Sequence, residues 1–90
     1  MEVYAIKLKT VGQDAHGMTK FIWATESQKK ILERMRNNPD ERYKFVEIGN
    51  FTFSPMDIAY MEKKKGESYD FPTYVVERYK LDNGNIKGLI

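Results

Sequence analysis

One stretch of the chain, residues 26–38 (ESQKKILERMRNN), has the spacing of an amphipathic helix, and it constrains the fold more than any other feature. Thr25 is a suitable N-cap, and Gln28 three residues later completes the pattern of a capping box. The apolar positions form a narrow stripe of Ile31, Leu32 and Met35. Because only one side is apolar, we predict a single helix that lies on a sheet by that side.

The rest of the chain is divided by Gly, Asn and Pro into short runs that predict strands. Residues 2–10 (EVYAIKLKT) alternate in polarity, which predicts a first strand with one apolar face. Residues 18–25 (MTKFIWAT) are apolar on both faces, so we expect a central strand there, paired antiparallel with the first. After the helix, residues 42–48 (RYKFVEI) and 51–53 (FTF) predict a hairpin closed by Gly49-Asn50.

Residues 54–65 (SPMDIAYMEKKK) allow two interpretations. Pro55 suits a bend between two strand segments, which favours an extended continuation. The alternative is a helix with Ser54 as N-cap and Pro55 at its first position. The string TFSPMDIAYMEKKKG (52–66) also resembles the opening strand of LytTR-type DNA-binding domains, which carries a hydrophobic–Asp–Ile–x–Tyr–x–Glu pattern. The resemblance is confined to this segment, and we carry no function over from it.

The C-terminal third predicts a polar loop over residues 63–72 and a strand over residues 73–81, followed by a turn at Asn83-Gly84 and a short terminal strand. The predicted order is therefore β-β-α-β-β-β-β, in which a single helix packs on a mostly antiparallel sheet. We expect one α+β domain spanning residues 1–90.

Nothing in the sequence has the pattern of a catalytic or cofactor site. Without cysteine, the chain has no disulfide, thiolate nucleophile or Cys-based metal site. The single histidine, His16, lies near Asp14 in a glycine-flanked loop and lacks the further ligands that a metal needs. We therefore expect a non-catalytic protein without cofactor or metal.

The same sequence predicts a soluble, cytoplasmic protein that does not enter a membrane. No apolar run is longer than the four residues 21–24, far short of the roughly 20 residues that span a bilayer. The N-terminal segment alternates in polarity and lacks the pattern of a signal peptide.

Binding to another protein is the function that the sequence favours. Aromatic side chains, which are enriched at interface hot spots, cluster in the C-terminal third. The candidate partner-binding residues are Tyr69, Phe71, Tyr74 and Tyr79. Self-association through a sheet edge, at Ser54-Pro55 or at the C-terminal hairpin, is the second form of this hypothesis. Short, cysteine-free chains rich in Tyr and Lys are also typical of bacterial and phage accessory proteins.

The alternative is a nucleic-acid-binding module. Phe51 and Phe53 would stack on bases, and basic side chains would contact the phosphates. The candidate cations are Lys63, Lys64, Lys65, Lys30 and Arg34. A formal net charge of only +2 weakens this hypothesis. The competing interpretation, a buried Phe51–Phe53 strand followed by a hydrated loop, is the one that the sequence favours.

Overall fold

The fold is a small α+β domain with antiparallel sheets, as the sequence predicts. A computed structural model describes residues 1–9 and 21–82. Its elements are β1 (Glu2–Leu8), β2 (Ile22–Ala24), α1 (Glu26–Arg36), β3 (Val46–Ile48), β4 (Phe51–Phe53), β5 (Ile58–Lys65) and α2 (Thr73–Asp82), with 3₁₀ turns at Pro55–Asp57 and Ser68–Asp70. The predicted turn at Asn83-Gly84, the terminal strand, and the loop with Asp14 and His16 lie outside the described residues.

Strand β1 is the centre of the main sheet, whose order is β2-β1-β5. Both neighbours pair with it antiparallel, which confirms the predicted pairing of the first two strands. Val3, Ala5 and Ile6 are all fully buried, so both faces of β1 are covered. The prediction of a central position for the second strand is wrong. The face of β2 that carries Trp23 is covered by the ring of Phe71, and the centroids of the two rings are 5.4 Å apart.

Helix α1 forms where the sequence predicts it, and its capping box is present. The Thr25 backbone N–H donates to the Gln28 side chain at 3.0 Å, and the Gln28 N–H donates to the Thr25 hydroxyl at 3.4 Å. Leu32 is buried, whereas Ile31 remains 42% exposed, so the helix contacts the core through an even narrower stripe than predicted.

The core lies between α1, the main sheet and the β3–β4 hairpin. Its buried members are Ile6, Leu8, Ile22, Ala24, Leu32, Ile48, Phe53 and Ile58. The hairpin turns at Gly49, whose φ of 61° is in the left-handed region that suits glycine. A Cβ at Gly49 would also lie only 3.2 Å from the Tyr74 ring, so this glycine admits a close contact between the hairpin and α2.

The third strand is shorter than predicted, because residues 42–45 do not extend it. The Arg42 N–H donates to the Asn38 carbonyl and the Lys44 N–H to the Glu41 carbonyl, both at 3.0 Å. The turns that these hydrogen bonds close come soon after the C-terminal end of α1 in the chain. They use backbone groups that a longer hairpin would have paired.

Both interpretations of residues 54–65 describe part of the structure. A single 3₁₀ turn follows Ser54, whose N–H donates to the Asp57 carboxylate at 3.3 Å. From Ile58 the chain is extended, as preferred. The lysines at 63–65, which the predicted extended segment and the predicted loop both include, belong to this strand.

The predicted strand over residues 73–81 is wrong, because this segment forms α2. Its Tyr and Val content favours strands. However, Val75 and Tyr79 have the i,i+4 spacing of one helix face, and Arg78 pairs with Asp82 at the same spacing, 3.1 Å apart. Val75 is 1% exposed, so tertiary burial together with local pairing outweighs strand propensity here.

We expect the two hairpin phenylalanines to differ in their contribution to stability. Phe53 is 2% exposed, so Phe53→Ala should lower the free energy of unfolding by roughly 3–5 kcal/mol. Phe51 is 37% exposed, so Phe51→Ala should cost less than about 2 kcal/mol. Urea denaturation of both variants measures the difference, and equal losses would contradict the burial described here.

Candidate interaction edge on strand β5

The two outer edges of the main sheet differ in how their backbone groups are satisfied. At the β2 edge, the Trp23 N–H points away from β1 and donates to the Tyr74 hydroxyl of α2 at 2.9 Å. At the β5 edge, no other described strand pairs with β5. The sheet therefore has one edge that α2 closes and one edge without a strand partner in the described chain.

The hydrogen-bond alternation shows which groups of β5 point outward. Met1 and Gly66 exchange both backbone hydrogen bonds, at 2.6 and 3.0 Å. In an antiparallel pair of strands, residue pairs that exchange both hydrogen bonds in this way alternate with residue pairs that exchange none. The register then places the bonded pairs at Val3–Lys64, Ala5–Glu62 and Lys7–Tyr60. The N–H and C=O groups of Met61, Lys63 and Lys65 consequently face the outer edge.

Carboxylates of the same sheet form ion pairs with the lysines of β5. Glu2 lies 3.7 Å from the ammonium of Lys63 and 3.4 Å from that of Lys65, while Glu62 lies 3.3 Å from that of Lys64. These pairs are exposed and each is worth little energetically. They do lower the local positive charge, which makes the lysines a poor track for phosphates. Charged side chains also discourage indiscriminate pairing at a sheet edge.

The other predicted nucleic-acid contacts are scattered. Phe53 is buried in the core and cannot stack on a base. The ammonium of Lys30 lies 4.0 Å from the carboxylate of Glu26 on the exposed side of α1. Arg34 is exposed in the last turn of the same helix. The described structure thus does not combine Phe51, Phe53 and Lys63–Lys65 into one stacking surface.

The four aromatic residues predicted to bind a partner have different surroundings. Tyr69 is 84% exposed. Phe71 packs against Trp23, and Tyr74 packs against the core and closes the β2 edge. Tyr79 lines a cleft beside Asp82. The contacts of Phe71 and Tyr74 are therefore internal to the fold.

That cleft, of about 750 Å³, lies at the N-terminus of α1. Its main polar contact is internal, because the Asp82 carboxylate at the end of α2 accepts hydrogen bonds from the Ser27 hydroxyl and, at 2.6 Å, from the Thr25 hydroxyl. A negative charge is favourable at a helix N-terminus. Asp82 thus joins the end of α2 to the start of α1, and the two hydroxyls are used in this junction.

A second exposed surface, at residues 42–45, is not among the sites that the sequence predicts. Tyr43 is 67% exposed and Phe45 is 77% exposed. The signal was present as the alternation of basic and aromatic residues in RYKF. This alternation predicts a strand, and in a strand one of its two faces would be buried.

No group of acidic or histidine side chains in the described residues has the arrangement of a metal site. Among the helices described, none is long and apolar enough to cross a membrane. Comparison of the chain with protein-family models, with curated proteins and with solved structures gives no match. Any functional argument therefore depends on the geometry of these surfaces.

Tyr74 should link stability to alkaline pH. Burial raises the pKa of its phenol above the usual value of 10, although the hydrogen bond from Trp23 acts in the opposite direction. The unfolded chain therefore loses this proton first, so the contribution of Tyr74 to stability is complete below about pH 10 and is lost as the pH rises through the folded pKa. Tyr74→Phe should cost about 1–2 kcal/mol at neutral pH, because the Trp23 N–H loses its acceptor.

The measurement is urea denaturation of wild type and Tyr74→Phe at about pH 8 and at about pH 11. The difference in the free energy of unfolding between the two proteins should be smaller at the higher pH. A difference that is constant with pH would show that ionisation of Tyr74 does not contribute to stability.

Proposed function

We propose that the protein is a non-catalytic binding protein that acts through strand addition at the outer edge of β5, with a second copy of the chain as its partner. The observation that carries the proposal is the contrast between the two sheet edges. Tyr74 closes the β2 edge, whereas Met61, Lys63 and Lys65 direct backbone groups outward from β5. Unpaired strand edges are templates for pairing with another chain.

The length of β5 supports strand addition. Ile58–Lys65 is the longest of the described strands, whereas β2 is only three residues long. The register shift between Lys7 and Leu8 makes one end of β5 irregular. The regular part that follows offers a continuous set of backbone donors and acceptors, which supplies affinity for an extended segment.

The charge pattern of β5 favours a second copy. All three lysines lie in the C-terminal half of the strand, and residues 58–61 (IAYM) carry no charge. Antiparallel pairing of two β5 strands about Met61 would place Lys63 and Lys64 of one copy opposite the uncharged residues 59 and 58 of the other, and Lys65 opposite the aspartate at position 57, just before the strand. Like charges directly opposite each other destabilise a sheet, and this arrangement avoids them. It would also make one continuous sheet from two domains.

The sharpest test removes one outward N–H. Lys63→Pro deletes a donor that faces the outer edge and leaves the ladder donors of Glu62 and Lys64 in place. Lys63→Ala is the matched control, because it removes the same side chain and its ion pair but keeps the N–H. We expect wild type and Lys63→Ala to form a dimer and Lys63→Pro to be monomeric.

Size-exclusion chromatography with light scattering, over protein concentrations from about 10 μM to 1 mM, measures the mass, since small interfaces of this kind are transient. Circular dichroism establishes that each variant is folded. A wild-type protein that stays monomeric throughout this range would refute self-association. Equal dimerisation of the folded Lys63→Pro variant would refute the β5 edge as the interface.

A further inference from the structure

Two large aromatic rings project into solvent beside β3, at a place where the backbone is well anchored. They belong to Tyr43 and Phe45, which are 67% and 77% exposed. The Arg42 carbonyl accepts a hydrogen bond from the Met56 N–H at 3.1 Å, and the Tyr43 carbonyl accepts one from the Ser54 hydroxyl at 3.1 Å. The rings are thus exposed although the segment that carries them is fixed to the 3₁₀ turn at residues 55–57.

A lack of buried positions in this part of the fold does not by itself explain why Tyr43 and Phe45 are exposed. The same hairpin buries Phe53 and Ile48. Large exposed apolar groups that lie together commonly mark an interaction site. Anchoring the backbone in advance also reduces the ordering cost of binding. The segment 42–45 therefore has the properties of a preformed platform, which we call the 42–45 platform.

Two cationic side chains lie next to the rings. The Arg42 guanidinium lies 5.5 Å from the centre of the Tyr43 ring, and Lys44 is exposed between the two aromatic residues. The buried Nε of Arg42 has no hydrogen-bond partner among the described residues. The surrounding residues 33–47 carry four basic and four acidic side chains, so the positive charge at the rings is that of Arg42 and Lys44 alone.

We propose that the 42–45 platform binds single-stranded nucleic acid, with Tyr43 and Phe45 stacking on unpaired bases and with Arg42 and Lys44 near the phosphates. Aromatic rings interleaved with cations are how proteins hold single strands without reading their sequence. A duplex hides its base faces, so the platform should prefer a single strand. This site is separate from β5, and the proposal does not depend on self-association.

The test uses fluorescence anisotropy of a labelled oligothymidine, which has no secondary structure of its own. Wild type should bind at about 50 mM salt and clearly more weakly at about 200 mM, because phosphate contacts release counterions. The double variant Tyr43→Ala/Phe45→Ala should bind at least about tenfold more weakly, since each base stack is worth roughly 1–3 kcal/mol. Both rings are exposed, so the variant should remain folded, as circular dichroism can verify.

Two control variants separate stacking from general effects. Tyr69→Ala removes a ring that is 84% exposed but lies outside the 42–45 platform, and it should bind as wild type does. Tyr43→Phe/Phe45→Tyr keeps both rings and should retain affinity. A labelled duplex of the same length should bind more weakly than the single strand.

The proposal is refuted if wild type does not bind at low salt, or if the double alanine variant binds as wild type does. An equal loss in Tyr69→Ala, or a duplex bound as tightly as the single strand, would also overturn it. If Lys63→Glu/Lys64→Glu abolishes binding while the double alanine variant retains it, the nucleic acid binds at β5 and the 42–45 platform is not the site.

Discussion

The burial of β1 on both faces is the constraint on which the rest of the structure depends. A strand of seven residues covered on both sides needs a separate covering for each side. Leu32 of α1 and Phe53 of the hairpin belong to the core on the face of Ile6. On the other face, Phe71 contacts Trp23 of the neighbouring strand and lies against Gly66 at the end of β5. In a chain of 90 residues, this arrangement lets one short strand organise two thin apolar layers.

The difference between the two edges of the main sheet follows from this arrangement. Covering β1 brings Tyr74 beside β2, where its hydroxyl accepts the outward N–H of Trp23. No described element has the same role beside β5, and charged side chains occupy that strand instead. Asymmetry between the edges is thus a consequence of how the C-terminal segment folds back, and it provides the physical basis for proposing β5 as the interaction edge.

The sequence predicted those elements whose signals are local. The Thr25–Gln28 capping box, the alternation in β1 and the Gly49-Asn50 turn each act over a few residues, and each is found in the structure. The C-terminal helix was missed because Tyr and Val favour a strand in isolation, while the burial of Val75 and the contact between Asp82 and Thr25 depend on distant residues. The central position of β2 was mispredicted for a similar reason, since a strand at the edge of a sheet can also have two covered faces, and here a ring from a distant segment covers one of them.

The interaction surfaces were harder still to predict. Which backbone groups of β5 face outward depends on its register with β1, and no residue type encodes that register by itself. The exposure of Tyr43 and Phe45 depends on turn hydrogen bonds that end the hairpin early. Aromatic content indicated that some rings would be exposed, but only the fold separates those that pack, such as Phe71, from those that do not.

The position of Trp23 also gives the protein an internal reporter. It is the only tryptophan in the chain, its ring contacts Phe71, and its backbone N–H donates to the Tyr74 hydroxyl. Both of these neighbours come from the segment that leads into and begins α2. The intrinsic emission of this single indole should therefore follow the docking of the C-terminal helix, which allows detachment of that helix to be distinguished from melting of the whole domain without any attached label.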